Sequence, residues 1–335
     1  MRSQAVLRGC LPAAQLSACS NSCKVSVERR CGAEVGRTMT GKAEAAGRTA
    51  RTVRLRPQAA ARVADPNEGG GIMLKLIASD MDGTMLDANE CVPDGTYELI
   101  LRLREEGVRF AATSGRRFDT LCELFEPIVD CMDFVASNGA QVIVEGELVD
   151  LEVFSHAAVK RLARVVDLFD TMHLALFDET RSYLLDDEAR FEREVDKNLP
   201  NPVRVYAVPS PQVSILKASV YCDEDVMDMA YILSRELDDD FVFAPSGRKW
   251  IDVMQRGVSK ATGVSQVLDA HGIRADEMMA FGDSMNDYEI LRMAGTSVAM
   301  GNARYAIKQI ADRVIGTNVD HSVQAELRKM LGERG

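Results

Sequence analysis

From Met73 onward, short apolar runs alternate with stretches in which apolar residues recur every three to four positions. Leu74–Ala78 is nearly all apolar, as a strand buried on both faces would be. A helix is predicted to begin near Pro93 and Asp94, with Tyr97, Ile100 and Leu101 on one face and Gly107 stopping it. Val108–Ala112, Phe134–Ala136, Met278–Phe281 and Ser297–Met300 repeat the strand signal. Such strands, separated by amphipathic helices, predict an α/β fold with a parallel sheet covered on both sides. Ligands of such sheets gather at the carboxyl ends of the strands.

The middle of the chain reads differently. Val159, Leu162, Ala163 and Val166 mark one amphipathic helix, and Val226, Met229, Ala230 and Leu233 mark another. Between them lie strand-like stretches at Leu174–Phe177, Ser182–Leu185 and Val213–Tyr221, with turns at 198–202 and 209–211. Lacking strict strand–helix alternation, this region is expected to be a separate α+β module at 156–245, inserted into a core of 73–155 and 246–335. A length of 335 residues, at about 150 per domain, accommodates both.

Charge changes the picture at the amino end. The whole chain carries −11, yet residues 1–71 hold 12 Lys and Arg against 5 Asp and Glu, so the remainder carries −18. An acidic body disfavours nucleic acid or an anionic membrane as partner. Residues 1–72 show no apolar period and end in Gly69–Gly71, so they read as a disordered tail, or as an upstream start with Met73 as the working beginning. Arg8, Gly9, Pro12 and Gln15 break any apolar stretch a secretory signal would need, and a cytoplasmic location is expected. The eight cysteines include no Cys-x-x-Cys pair, so reduced thiols without a cysteine metal site are expected.

Four polar clusters fall at the predicted strand ends or helix starts. Asp80-Met81-Asp82-Gly83-Thr84 follows the first strand, and two carboxylates at i and i+2 of an extended segment share a side. Such a pair can divide nucleophile or metal-ligand work from proton transfer. A calcium loop would need Glu at the twelfth position, where Cys91 stands. Thr113-Ser114-Gly115-Arg116 suits either a phosphate cradle or a plain helix cap. Gly257-Val258-Ser259-Lys260 opens a helix, where a lysine is either a solvated charge or a partner for an anion. Gly282-Asp283-Ser284-Met285-Asn286-Asp287 concentrates oxygen donors of the kind magnesium takes, and also suits a helix cap.

In this order the four clusters resemble the motifs of the haloacid dehalogenase superfamily, in particular its Cof-like branch with a large cap between the second and third motifs. Ser137-Asn138-Gly139-Ala140 and Val298–Ala303 are similar to secondary signatures of that branch. Asn318-Val319-Asp320-His321-Ser322 departs from it, since relatives commonly show an acid and Gly after the Asn.

The resemblance covers about 73–335 and implies a Rossmann-like core with an inserted α+β cap. It further implies magnesium-dependent hydrolysis of small phosphomonoesters, a sugar phosphate or similar metabolite, through an aspartyl-phosphate. Asp80 would be the nucleophile and Asp82 the acid and base. The metal would sit on Asp80, Asp283 and the main-chain carbonyl of Asp82. Ser114, Gly115, Lys260 and Asn286 would bind phosphate, and Arg116 and Asn138 would face substrate. Asp287 would support them from behind and Thr84 would steady the turn. A phosphomutase on the same core, or a catalytically silent binding module, stands as the alternative.

Overall fold

The computed structural model describes residues 73–185, 191, 202–237, 240–246 and 248–333. The tail at 1–72, with its four cysteines, and the turn from 198 lie outside them, apart from Pro202. Among the described cysteines, Cys91 and Cys222 are free thiols. Among the described residues no helix is long and apolar enough to cross a membrane.

Five predicted strands form the centre of one eight-stranded sheet. In chain order it contains β1 (Leu76–Asp80), β2 (Arg109–Thr113), β3 (Asp133–Ala136), β4 (Gln141–Val144), β5 (Glu147–Leu151), β12 (Met278–Gly282), β13 (Thr296–Ala299) and β14 (Arg313–Val314). Their spatial order is β14-β13-β12-β1-β2-β3-β4-β5. The strands from β14 through β3 are parallel, so Asp80, Thr113, Ala136, Gly282 and Ala299 all end at one edge. Register sets Asp80 beside Thr113 and Ser79 beside Phe281.

The sheet is not parallel throughout, because β4 and β5 form an antiparallel hairpin at its margin. Glu145 and Gly146 both have positive φ, the backbone of a tight two-residue turn that glycine favours. The Glu-Gly pair carried that signal, but Gln141–Val144 is too short to show a period of its own.

Helices cover both faces. In α1 (Thr96–Glu105) the buried stripe is Thr96, Leu99, Ile100 and Leu103, one register along from the expected one. α2 (Phe118–Leu124), α6 (Tyr288–Met293), α7 (Tyr305–Ile310) and α8 (Ser322–Met330) complete this layer with α5 (Lys260–His271). Ser259 caps α5: its hydroxyl accepts from Thr262 N, and the Thr262 hydroxyl accepts from Ser259 N.

The second sheet is built from β6 (Met172–Phe177), β7 (Ser182–Leu184), β8 (Pro202–Arg204), β9 (Lys217–Cys222), β10 (Phe241–Ser246) and β11 (Trp250–Gln255), in the order β10-β11-β9-β6-β7-β8. Helices α3 (His156–Val166) and α4 (Val226–Leu237) pack on one face through Val159, Leu162, Val166, Met229 and Leu233. The boundary expected at 245/246 cuts this sheet, because Trp250–Gln255 pairs with both β9 and β10. β10 and β11 pair antiparallel from Phe241 with Gln255 to Ser246 with Trp250, which keeps Trp250–Gln255 in the same sheet. β9 starts at Lys217, so Val213–Leu216 is loop leading into it rather than strand.

Candidate active site

Three carboxylates and one ammonium meet at the strand ends. Asp80 closes β1 and is buried, as are Lys260 at the first turn of α5 and Asp287 just before α6. The Lys260 ammonium donates to Asp80 and, at 2.8 Å, to Asp287 Oδ1. Oxygens of Asp80, Asp283 and Asp287 lie within 4.8 Å of one another. Burial pushes the Asp80 carboxyl well above the usual range, and repulsion from Asp287 adds to it. Burial likewise raises Asp283 to about 6, with Asp287 again contributing. Burial pulls Lys260 down, but Asp287 and Asp80 more than offset this and hold its ammonium firmly protonated. One ammonium serves three carboxylates, and this excess of acidic groups is part of why Asp80 and Asp283 are held above their usual range.

Asp82 stands apart from this cluster, half exposed, held by the Arg116 guanidinium through Nε and Nη2. The same guanidinium reaches Glu90 Oε2 at 2.8 Å. The hydrogen bond to Asp82 raises the Arg116 pKa still further. Glu90 was not among the residues singled out from sequence. It sits in an exposed loop with φ 59°, and only that left-handed backbone marks it.

Ser114 is fully buried, and its hydroxyl accepts from Arg116 N at 3.1 Å. It does not cap α2, whose first residue follows Arg117 without a side-chain cap. Gly115 backs onto the Asn138 side chain, and Asn138 Oδ1 accepts from Asn286 Nδ2 at 3.1 Å. Thus Ser114, Gly115, Asn138 and Asn286 are brought together beside the acidic cluster. The oxygens Asn286 Oδ1, Asp283 Oδ1 and Thr84 Oγ1 are buried with no protein partner. Thr84 therefore steadies the turn through burial, not through a hydrogen bond from its hydroxyl.

Two asparagines clamp the turn after β1. Asn302 Nδ2 donates to Gly83 O at 2.7 Å, and Asn318 Nδ2 donates to Leu86 O at 2.9 Å. Asn318 N donates to Asn302 Oδ1 at 3.2 Å and links the two. In the loop after Asn318, His321 stands at φ 52°, a conformation histidine tolerates better than most residues.

Gly83 itself has φ 78°, and a Cβ there would meet Asp283 Oδ2 at 2.5 Å. Gly83→Ala is therefore expected to cost about 1–2 kcal/mol of stability through backbone strain alone. It should also displace Asp283. A thermal melt with a parallel turnover assay checks both, and a variant matching the wild type in each would contradict this placement.

A family model described as haloacid dehalogenase-like hydrolase matches residues 77–327. The chain is 30% identical over 273 residues to a 5-amino-6-(5-phospho-D-ribitylamino)uracil phosphatase of Escherichia coli, covering 77% of this chain and 96% of that protein. It is 25% identical over 268 residues to a phosphatase of the same description from Bacillus subtilis, covering 76% and 96%. A solved structure from Eubacterium rectale aligns with a TM-score of 0.71 at 25% identity, covering 77% of this chain and 99% of that one.

Proposed function

The protein belongs to the haloacid dehalogenase-like hydrolase family and is a phosphatase, and from that premise we propose that it hydrolyses small phosphomonoesters by way of a phosphorylated Asp80. The observation that carries this reading is the buried cluster of Asp80, Asp283 and Asp287 around Lys260. Its excess of carboxylates over ammonium, its hard oxygen donors and the orphaned Asp283 Oδ1 fit a divalent cation. Magnesium would be held by Asp80, Asp283 and the main-chain carbonyl of Asp82. When bound, it supplies the positive charge that offsets repulsion between a carboxylate nucleophile and a phosphate dianion.

The chain's own residues do the rest. An Asp80 carboxylate oxygen attacks phosphorus as the bond to the leaving oxygen breaks, and Asp82 gives that oxygen a proton. Asp82 then takes a proton from the water that attacks the phosphorus of the acyl phosphate, releasing inorganic phosphate and restoring Asp80. Ser114, the Gly115 backbone, Lys260 and Asn286 bind the phosphoryl oxygens. An arriving phosphate dianion competes with Asp82 for Arg116, which frees the Asp82 carboxyl to turn toward the leaving oxygen. Asp287 orients Lys260 through their hydrogen bond. The two relatives named above act on a phosphorylated ribityl compound, which supports a sugar- or alditol-phosphate substrate here.

Release of inorganic phosphate from an aryl phosphate with and without magnesium tests the reading, because a mutase would instead move phosphate between sugar positions. Binding should also be visible in stability. The Asp283 carboxyl, raised to about 6 in the fold, favours its protonated form. The metal-free protein therefore loses this group's contribution as pH rises through about 6. Magnesium at 100 times its dissociation constant should then add about 2.7 kcal/mol above pH 7 and much less at pH 5. Equal stabilisation at both pH values, or none, would contradict the assignment.

A further inference from the structure

Alternation along the second sheet separates its two faces. Leu174, Leu176, Ala218, Val220, Ile251 and Val253 pack into the helix-covered core. Phe177, Lys217, Ser219 and Asp252 therefore lie on the other face. That face looks onto the strand ends of the first sheet. The Lys217 ammonium donates to Gly115 O at 3.4 Å, in the loop between Ser114 and Arg116, and Gln141 Nε2 donates to Glu179 at 3.2 Å.

On this face Lys217 pairs with Asp252 Oδ1 at 3.0 Å, and the Ser219 hydroxyl donates to the same oxygen at 2.9 Å. The ammonium stands 5.9 Å from the Phe177 ring centroid. Side-chain exposure is only 15% for Lys217 and 17% for Asp252, so both charges act where water screens them weakly. Nothing in the chemistry at Asp80 uses the pair. The core groups address the phosphoryl group, and the pair faces the space beyond it, where the rest of the substrate must lie.

Resting on the phosphatase reading above, we propose that the Lys217–Asp252 pair recognises the leaving group and selects a neutral, hydroxyl-bearing one over one carrying a second anion. The pair neutralises itself and offers no net charge to a second phosphate or carboxylate. Glu179 on the adjoining hairpin, and Asp82 and Glu90 around the loop that Lys217 touches, outnumber the one guanidinium of Arg116 and leave these surroundings net acidic. A second anion would lose its water against like charge. A hydroxyl both donates and accepts, so it can bridge carboxylate and ammonium, and the Phe177 ring offers an apolar wall for carbon-bound hydrogens.

The test compares kcat/KM for sorbitol phosphate and phosphogluconate, esterified at the same terminal carbon and ending in a hydroxymethyl and a carboxylate respectively. The wild type should prefer sorbitol phosphate. Asp252→Asn leaves the ammonium unneutralised and should shift the ratio about tenfold toward phosphogluconate. Lys217→Met leaves the carboxylate unneutralised and should shift it about as far the other way. Should either variant melt below the assay temperature, Asp252→Ser and Lys217→Gln make the same charge changes with different packing. Opposite shifts support the proposal, since a general loss of fold moves both ratios together. Shifts of the same sign, or ratios within about twofold of the wild type in both variants, overturn it while aryl phosphate turnover shows the phosphatase reading intact. A wild type that releases no phosphate from an aryl phosphate with magnesium overturns both.

Discussion

Asp80→Asn is expected to lower kcat by a factor on the order of 10⁴ or more while leaving the fold intact. The amide cannot attack phosphorus, and it removes a ligand from the proposed metal site in the same step. Stability should not fall with activity. The Asp80 carboxylate is buried and pushed toward its protonated form by desolvation and by Asp287, so the isosteric amide relieves an unfavourable charge. Lys260 keeps its partner in Asp287. A melting temperature equal to or above that of the wild type, measured without metal, is the expected companion. A variant that loses activity only because it unfolds would contradict this assignment.

Lys260→Met has the largest expected effect on stability. The ammonium is fully buried between Asp80 and Asp287, and taking away one partner of a buried ionic group typically costs about 3–5 kcal/mol. Without it, Asp80 and Asp287 face each other with no countercharge, and the Asp80 carboxyl, already held above its usual range, is pushed further up. The loss should therefore be smaller near pH 5, where a proton can replace the ammonium, and larger at pH 8. Adding Asp287→Asn should recover part of it, because one of the two uncompensated charges then disappears. Urea denaturation of both variants at the two pH values gives these differences. A loss under about 1 kcal/mol at pH 8 would mean that Lys260 is not the counterion of the cluster.

The core was legible in the sequence because its strands are buried on both faces. Leu76–Asp80 and Met278–Gly282 leave continuous apolar runs, and the chemistry follows each run directly. Asp287 falls in the cluster that follows the second run, whereas the spacing around Lys260 left a solvated charge equally open and only the resemblance implied its place in the site. Residues whose roles depend on distant pairing left no such mark. Lys217 and Asp252 are single charges in two strands 35 residues apart, and only the register of β9 with β11 brings them together. The bond from Asn302 to Gly83 spans 219 positions, and Glu90 reaches Arg116 from a loop with no regular period. The boundary expected at 245/246 falls inside the second sheet because the place of Trp250–Gln255 is set by its pairing with β9 and β10, which no local pattern marks.

The central claim is that the side chain of Asp80 carries the phosphoryl group. Its most direct test is acid quenching of Asp82→Asn during turnover of an aryl phosphate, followed by mass spectrometry of the peptide that contains Leu76–Met85. An aryl leaving group needs little help from an acid, whereas the breakdown step lacks its base, so the phosphorylated enzyme should accumulate. The expected result is a phosphoryl adduct on Asp80 that hydroxylamine removes, as it does an acyl phosphate. Steady release of phosphate with no adduct, or an adduct on any other residue, would contradict it.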